Sequence, residues 1–182
     1  MVVLGLCGSL RRGSYNRRLL GAAAAGLPAG VALEMFEGLA EVPPYNEDHA
    51  APAPVRVLRA AITAADAVLV ATPEYNGSVP GQLKNALDWA SRPFPDNALR
   101  AKPVAVVGAS TGLFGAVWAQ AELRKVLGTI GADVVDQELP VGQAHDAFTA
   151  DGALIDPDLR SVLADIVGQL LRKVPTGAEQ LT

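Results

Sequence analysis

Residues 72 to 89 read Thr72-Pro73-Glu74-Tyr75-Asn76-Gly77-Ser78-Val79-Pro80-Gly81-Gln82-Leu83-Lys84-Asn85-Ala86-Leu87-Asp88-Trp89. The run before them, Ala67-Val68-Leu69-Val70-Ala71, is apolar and strand-sized, the pattern of a strand buried on both faces. Pro, Gly and Asn then turn the chain, and a helix opens at Pro80. Proline suits a first helical turn, where its missing N–H would have had no partner. Glu74, Tyr75, Asn76, Gly77 and Ser78 stand between strand and helix. In a parallel sheet, such a strand-to-helix turn is where ligands bind.

The same unit recurs on either side. Upstream, Val2-Val3-Leu4-Gly5-Leu6-Cys7 predicts a central strand and residues 8–14 a loop. A helix follows, with Ser14 or Asn16 near its cap and Leu19, Leu20 and the alanines 22–25 as its body. Residues 31–36 predict a second strand, placed at an edge by Glu34. A long connection over 37–54 leads to a helix that puts Val55, Leu58, Ala61, Ile62 and Ala65 on one face. Downstream, residues 103–107 predict the fourth strand, and Gly108-Ala109-Ser110-Thr111-Gly112-Leu113-Phe114-Gly115 a glycine-rich turn. The next helix carries Ala116, Ala119, Leu123, Val126, Leu127 and Ile130 on one face. A fifth strand is expected from Asp133, running on towards Leu139, and Asp156-Pro157 starts a last helix ending near Arg172 and Lys173.

Strands alternating with helices imply an α/β sheet with right-handed crossovers. The flavodoxin-like order 2-1-3-4-5 fits, a three-layer sandwich with helices on both faces of a parallel sheet. Strands 1, 3 and 4 then lie side by side, about 4.8 Å apart. Their turns, after residues 7, 71 and 107, share one sheet edge. They span roughly 10 Å, enough for one extended ligand to touch all three. Residues 1–174 are expected to form one flavodoxin-like domain and 175–182 a frayed tail.

Composition narrows the class of protein. Half of the 182 residues are hydrophobic and 19% are charged, as in globular proteins, and no window has the length of a membrane span. The early first strand leaves no signal peptide in this reading, and a single cysteine, Cys7, is expected to be buried, so the cytoplasm is the expected location. A net charge of −4 weighs against nucleic acid. His49 and His145 have no neighbouring ligands that would make a metal site. Yet Arg11, Arg12, Arg17 and Arg18, four of 15 basic residues, crowd into a stretch with no acid before Glu34.

Arginine at a helix start is unfavourable by about 0.3–1 kcal/mol, unless an anion binds there. Ser9, Arg11, Ser14, Tyr15 and Asn16 therefore read as an anion cradle, with Arg17 and Arg18 pointing to solvent. No Gly-Lys-Ser/Thr follows, so this is not a P-loop, and Gly5 and Gly8 do not continue as a dinucleotide fingerprint. Without those glycines, Glu37 has little claim to bind a ribose. Nor is there a G-x-S-x-G nucleophile elbow.

Gly8-Ser9-Leu10-Arg11 with Ser14 and Asn16, Pro73-Glu74-Tyr75-Asn76 with Ser78, Pro80-Gly81 and Leu83-Lys84-Asn85-Ala86, and Asp88-Trp89 resemble the NADPH-dependent FMN reductase family of quinone, azo-dye and chromate reductases. The third turn and Ala119-Gln120 with Leu123-Arg124 are similar too. The resemblance implies that Ser9, Arg11, Ser14 and Asn16 bind the FMN phosphate. It implies that Pro73, Glu74, Tyr75, Asn76 and Gly77 border the isoalloxazine through backbone groups, and that Ser110, Thr111, Gly112 and Gly115 lie near its other end.

It further implies hydride transfer from NADPH or NADH through flavin N5 to a small acceptor such as a quinone, azo compound, chromate or free flavin. No side chain is then named as catalytic, because the cofactor carries the chemistry. The alternative function is an electron-carrying FMN module without steady NAD(P)H turnover. The helix starting near Gly115 could direct its positive end at the reduced ring. A homodimer, and more remotely a homotetramer, is implied as well. The family's second glycine and arginine are replaced here by Ala116, Val117 and Trp118, which removes contacts that arginine would make. Two readings stay open for Lys84, Asn85 and Asp88 (site or solvated helix face) and for Tyr45-Asn46-Glu47-Asp48 (overhanging the flavin or surface turn).

Overall fold

The computed structural model describes residues 1–175; the expected tail lies almost wholly outside the described residues. Strands β1 (Val2–Cys7), β3 (Ala67–Thr72) and β4 (Pro103–Ala109) form the sheet's centre. Every residue of these strands except Val2 is buried. β2 (Ala32–Met35) is the half-exposed edge that Glu34 predicted. All pairs are parallel, in the order β2-β1-β3-β4-β5.

The sheet separates two cores, and strand alternation decides which residue joins which. Leu69, Ala71, Ala105 and Val107 point towards helices α1 (Tyr15–Ala25) and α5 (Pro157–Arg172). Val68, Val70, Val104 and Val106 point the other way, onto α2 (Ala53–Ala64), α3 (Gly81–Ala90) and α4 (Val117–Ile130). Helix starts follow their cap residues. Ser14 accepts from the N–H of Arg17 to cap α1, Asp156 accepts from Asp158 to cap α5, and Pro80 precedes α3.

The fifth strand departs from expectation. It is two short pieces, β5 (Asp133–Val134) and β6 (Pro140–Val141), both paired with β4. Asp136, Gln137 and Glu138 are polar and leave the sheet between them, while Val135 and Leu139 stay buried. The carboxamide of the fully buried Gln120 stabilises this break by accepting from Leu139 N–H at 3.1 Å and donating to Gly115 C=O at 3.0 Å.

Candidate functional site

The loops after β1, β3 and β4 meet in one small cleft of about 160 Å³ at the C-terminal edge of the sheet. The first loop contributes Ser9, Arg11, Tyr15 and Asn16, the second Pro73, Glu74 and Tyr75, the third Ser110 and Thr111. A larger cavity, about 730 Å³, lies between α1 and α5 with small and aliphatic residues such as Ala22, Ala25, Leu163 and Val167 along it. Chemistry favours the cleft: its walls are mostly polar, and it sits where a doubly wound sheet binds ligands.

The first loop keeps positive potential unspent. Among the described residues, Arg11, Arg12 and Arg18 have no carboxylate within salt-bridge distance. Tyr15 spaces two of them, with Arg11 5.7 Å and Arg18 5.6 Å from its ring centre, and its ring stacks on Phe148. Arg18 is thus held at Tyr15. Arg17 does not simply face solvent, because it forms a two-pronged pair with Glu37, one bond of which is 2.9 Å. That bond lowers the carboxyl pKa of Glu37 and raises that of the guanidinium. Glu37 is therefore committed to Arg17, which removes its weak claim to a ribose.

At the start of α1, Ser14 uses its hydroxyl as the cap, and Arg18 N–H bonds Ser14 C=O. The N–H groups of Tyr15 and Asn16 find no acceptor among the described residues. A helix start with free N–H groups and an unpaired arginine fits a phosphate. Asn16 has a second role. Its buried side chain donates to Ala109 C=O and accepts from Ala109 N–H, both at 2.9 Å, tying the first loop to the end of β4. One hydrogen of its amide is left for a ligand.

The second loop is a two-residue reversal. Tyr75 N–H bonds Ser78 C=O at 3.1 Å, and Ser78 N–H returns to Tyr75 C=O at 3.2 Å. Asn76 and Gly77 both have positive φ, 55° and 75°, which explains Asn-Gly at the tip of this turn. They shape the loop and stand outside the cleft lining, as does Ser14. Glu74 turns its carboxylate to α4, accepting from the N–H groups of Trp118 and Ala119, both at 3.1 Å. The start of α4 is consequently occupied by an acid, and it does not offer a bare positive end to the cleft as the sequence suggested.

Gly112 and Gly115 also lie outside the lining, where they position the third loop. Gly112 donates to Ser110 Oγ, and its C=O accepts from Gln143 N–H. Gly115 has φ 58°, and a Cβ there would sit 2.3 Å from the carbonyl carbon of Pro140. The segment 140–144, of which only Pro140 and Val141 form a strand, thus holds this turn in place. Its one sequence signal is Gly142, whose Cβ would meet Leu113 C=O at 2.2 Å.

The remaining candidates lie elsewhere. Asn85 bonds Tyr45 N–H and Pro43 C=O, and Trp89 Nε1 also donates to Pro43 C=O. Lys84 and Asp88 pair one turn apart. The Tyr45 ring packs on Trp89, and Tyr45 and Arg92 both bond Glu47. None of these residues lines the cleft of this chain. Among the described residues no group of acids, histidines and cysteine could hold a metal, and no helix is long and apolar enough to cross a membrane.

A profile of the NADPH-dependent FMN reductase family matches residues 1–146. An NAD(P)H-dependent FMN reductase of Pseudomonas aeruginosa is 44% identical over 165 residues, 88% of each chain. A 2-hydroxy-1,4-benzoquinone reductase of a Burkholderia species is 37% identical over 86% of each. Among solved structures, FerB, a flavoenzyme NAD(P)H:(acceptor) oxidoreductase from Paracoccus denitrificans, superposes with a TM-score of 0.83 at 35% identity, over 95% of this chain and 96% of its own.

Proposed function

The chain belongs to the NADPH-dependent FMN reductase family and is an FMN-dependent NAD(P)H oxidoreductase, and we propose that its cleft holds FMN with the phosphate on the first loop. The observation that carries the placement is the start of α1. The free N–H groups of Tyr15 and Asn16, with the unpaired Arg11 beside them, offer a dianion several donors in one spot. Ser9 and the spare amide hydrogen of Asn16 supplement them. Pro73, Glu74 and Tyr75 border the isoalloxazine on one side, Ser110 and Thr111 on the other.

FMN held by these residues would supply the redox chemistry, a hydride acceptor for NAD(P)H and a two-electron donor for an acceptor. The protein's task is to hold the ring, keep one face accessible and exclude side reactions. The acceptor class we propose is a quinone, azo compound, chromate or free flavin. The proposed assembly is a homodimer. In its favour, Leu113, Phe114 and Trp118 are 70%, 59% and 53% exposed in this chain beside the third loop, with the last two rings edge to face at 5.1 Å. A cytoplasmic location is consistent with one buried cysteine.

The test is spectroscopic. The purified protein mixed with FMN should co-elute with flavin absorbance on gel filtration. Anaerobic NADPH or NADH should bleach that absorbance, and a quinone should restore it. A protein that stays colourless with excess FMN would refute the reading.

A further inference from the structure

Of the three helices that follow the cleft loops, α1 and α4 begin differently. α1 leaves two N–H groups open. In α4 every N–H of the first turn is taken. Val117 donates to Phe114 C=O at 3.2 Å and Gln120 to Ala116 C=O at 3.0 Å, while Trp118 and Ala119 both donate to Oε2 of Glu74. α4 has no cap of its own, because Ala116 before it is left-handed and without a capping side chain, and its first turn holds no acid. The cap arrives from 44 residues upstream, on a residue that lines the cleft. A second bond, Ser78 Oγ to Glu122 Oε2 at 2.7 Å, ties the same loop to the next turn of α4.

Resting on the FMN reading above, we propose that Glu74 is a positioning residue that lowers the flavin's reduction potential by cancelling the positive end of α4 at the cleft. A bare helix start is equivalent to roughly +0.5 charge. Adding a carboxylate turns that into roughly −0.5. Hydride transfer from NAD(P)H brings two electrons and one proton to the ring, so the ring gains one negative charge while N1 stays unprotonated. A negative wall disfavours that gain and makes the reduced cofactor a stronger donor to the acceptor. The phosphate keeps its charge throughout, so the open end of α1 can favour binding without favouring either redox state.

Glu74→Gln isolates the charge, since its amide oxygen can still accept from Trp118 and Ala119. The midpoint potential is measured anaerobically against a reference dye, and oxidised FMN affinity by fluorescence quenching. In Glu74→Gln, the affinity for reduced FMN should rise about tenfold relative to that for oxidised FMN, which raises the two-electron potential by about 30 mV. Glu74→Met should raise the potential too but lower the thermal midpoint, separating charge from cap. Asp165→Asn, the same charge change on the exposed side of α5, should leave the potential in place. A wild type that binds no FMN would overturn the cofactor placement itself. A wild type that binds FMN with the same potential as both Glu74 variants would overturn only the role of Glu74.

Discussion

Arg11, in the first loop, and Asn16, at the start of α1, share one sequence-based assignment, but the structure gives them different work. Arg11 donates only to Gly13 C=O, at 3.4 Å, and has no carboxylate partner among the described residues. Its charge otherwise meets only the Tyr15 ring, 5.7 Å away, a contact of about 0.5–1 kcal/mol at an exposed site. Arg11→Ala should therefore lower the thermal midpoint of the FMN-free protein only slightly and weaken FMN binding by about 1.5–3 kcal/mol, the range for a hydrogen bond to a charged group. Titration of both proteins with FMN checks this, and equal affinities would remove Arg11 from the phosphate site. Asn16 instead satisfies both backbone groups of Ala109, 93 residues away. The sequence shows an amide in an anion-binding loop. It cannot show that the end of β4 comes to rest beside it. Glu74 was hidden in the same way, since its partners are backbone N–H groups of a helix that lacks a cap of its own.

Elements whose signals are local are legible in the sequence, and those fixed by distant partners are not. The buried strands and the starts of α1 and α5 follow from apolar runs and cap residues within a few positions. The break between β5 and β6 depends on Gln120, on another element, so an unbroken strand was expected. α3 is the instructive case. Its apolar side, with Leu83, Ala86, Leu87 and Ala90, faces the core. Gln82, Asn85 and Trp89 form a second side that holds the preceding connection: Gln82 donates to the C=O groups of Leu39 and Val42, the other two to that of Pro43. Asn85 is thus accounted for by folding. Asn85→Ala would leave Tyr45 N–H and Pro43 C=O without this partner, although Trp89 still reaches Pro43. Stability should fall by about 1–2 kcal/mol, read from denaturant unfolding, while FMN affinity stays as in wild type. A loss of FMN affinity without a loss of stability would instead place Asn85 in the site.

Across the whole molecule, the cleft draws on strands from much of the sequence. Its loops follow β1, β3 and β4, and the third is held by residues 140–144. A ligand bridging these loops is bound by the folded chain and not by the unfolded one, so it must stabilise the fold by mass action. With free FMN at 100 times its dissociation constant, the gain is about 2.7 kcal/mol. For a chain of 182 residues this should raise the thermal midpoint by about 5–10 °C, at roughly 2–4 °C per kcal/mol. Riboflavin, which lacks the phosphate, separates the contributions. If the start of α1 and Arg11 supply much of the affinity, riboflavin at the same concentration should raise the midpoint far less. Inorganic phosphate, which can fill only that end, should give a small rise that disappears in Arg11→Ala. Equal shifts with FMN and riboflavin would mean that the ring alone drives binding and that the basic first loop serves another anion.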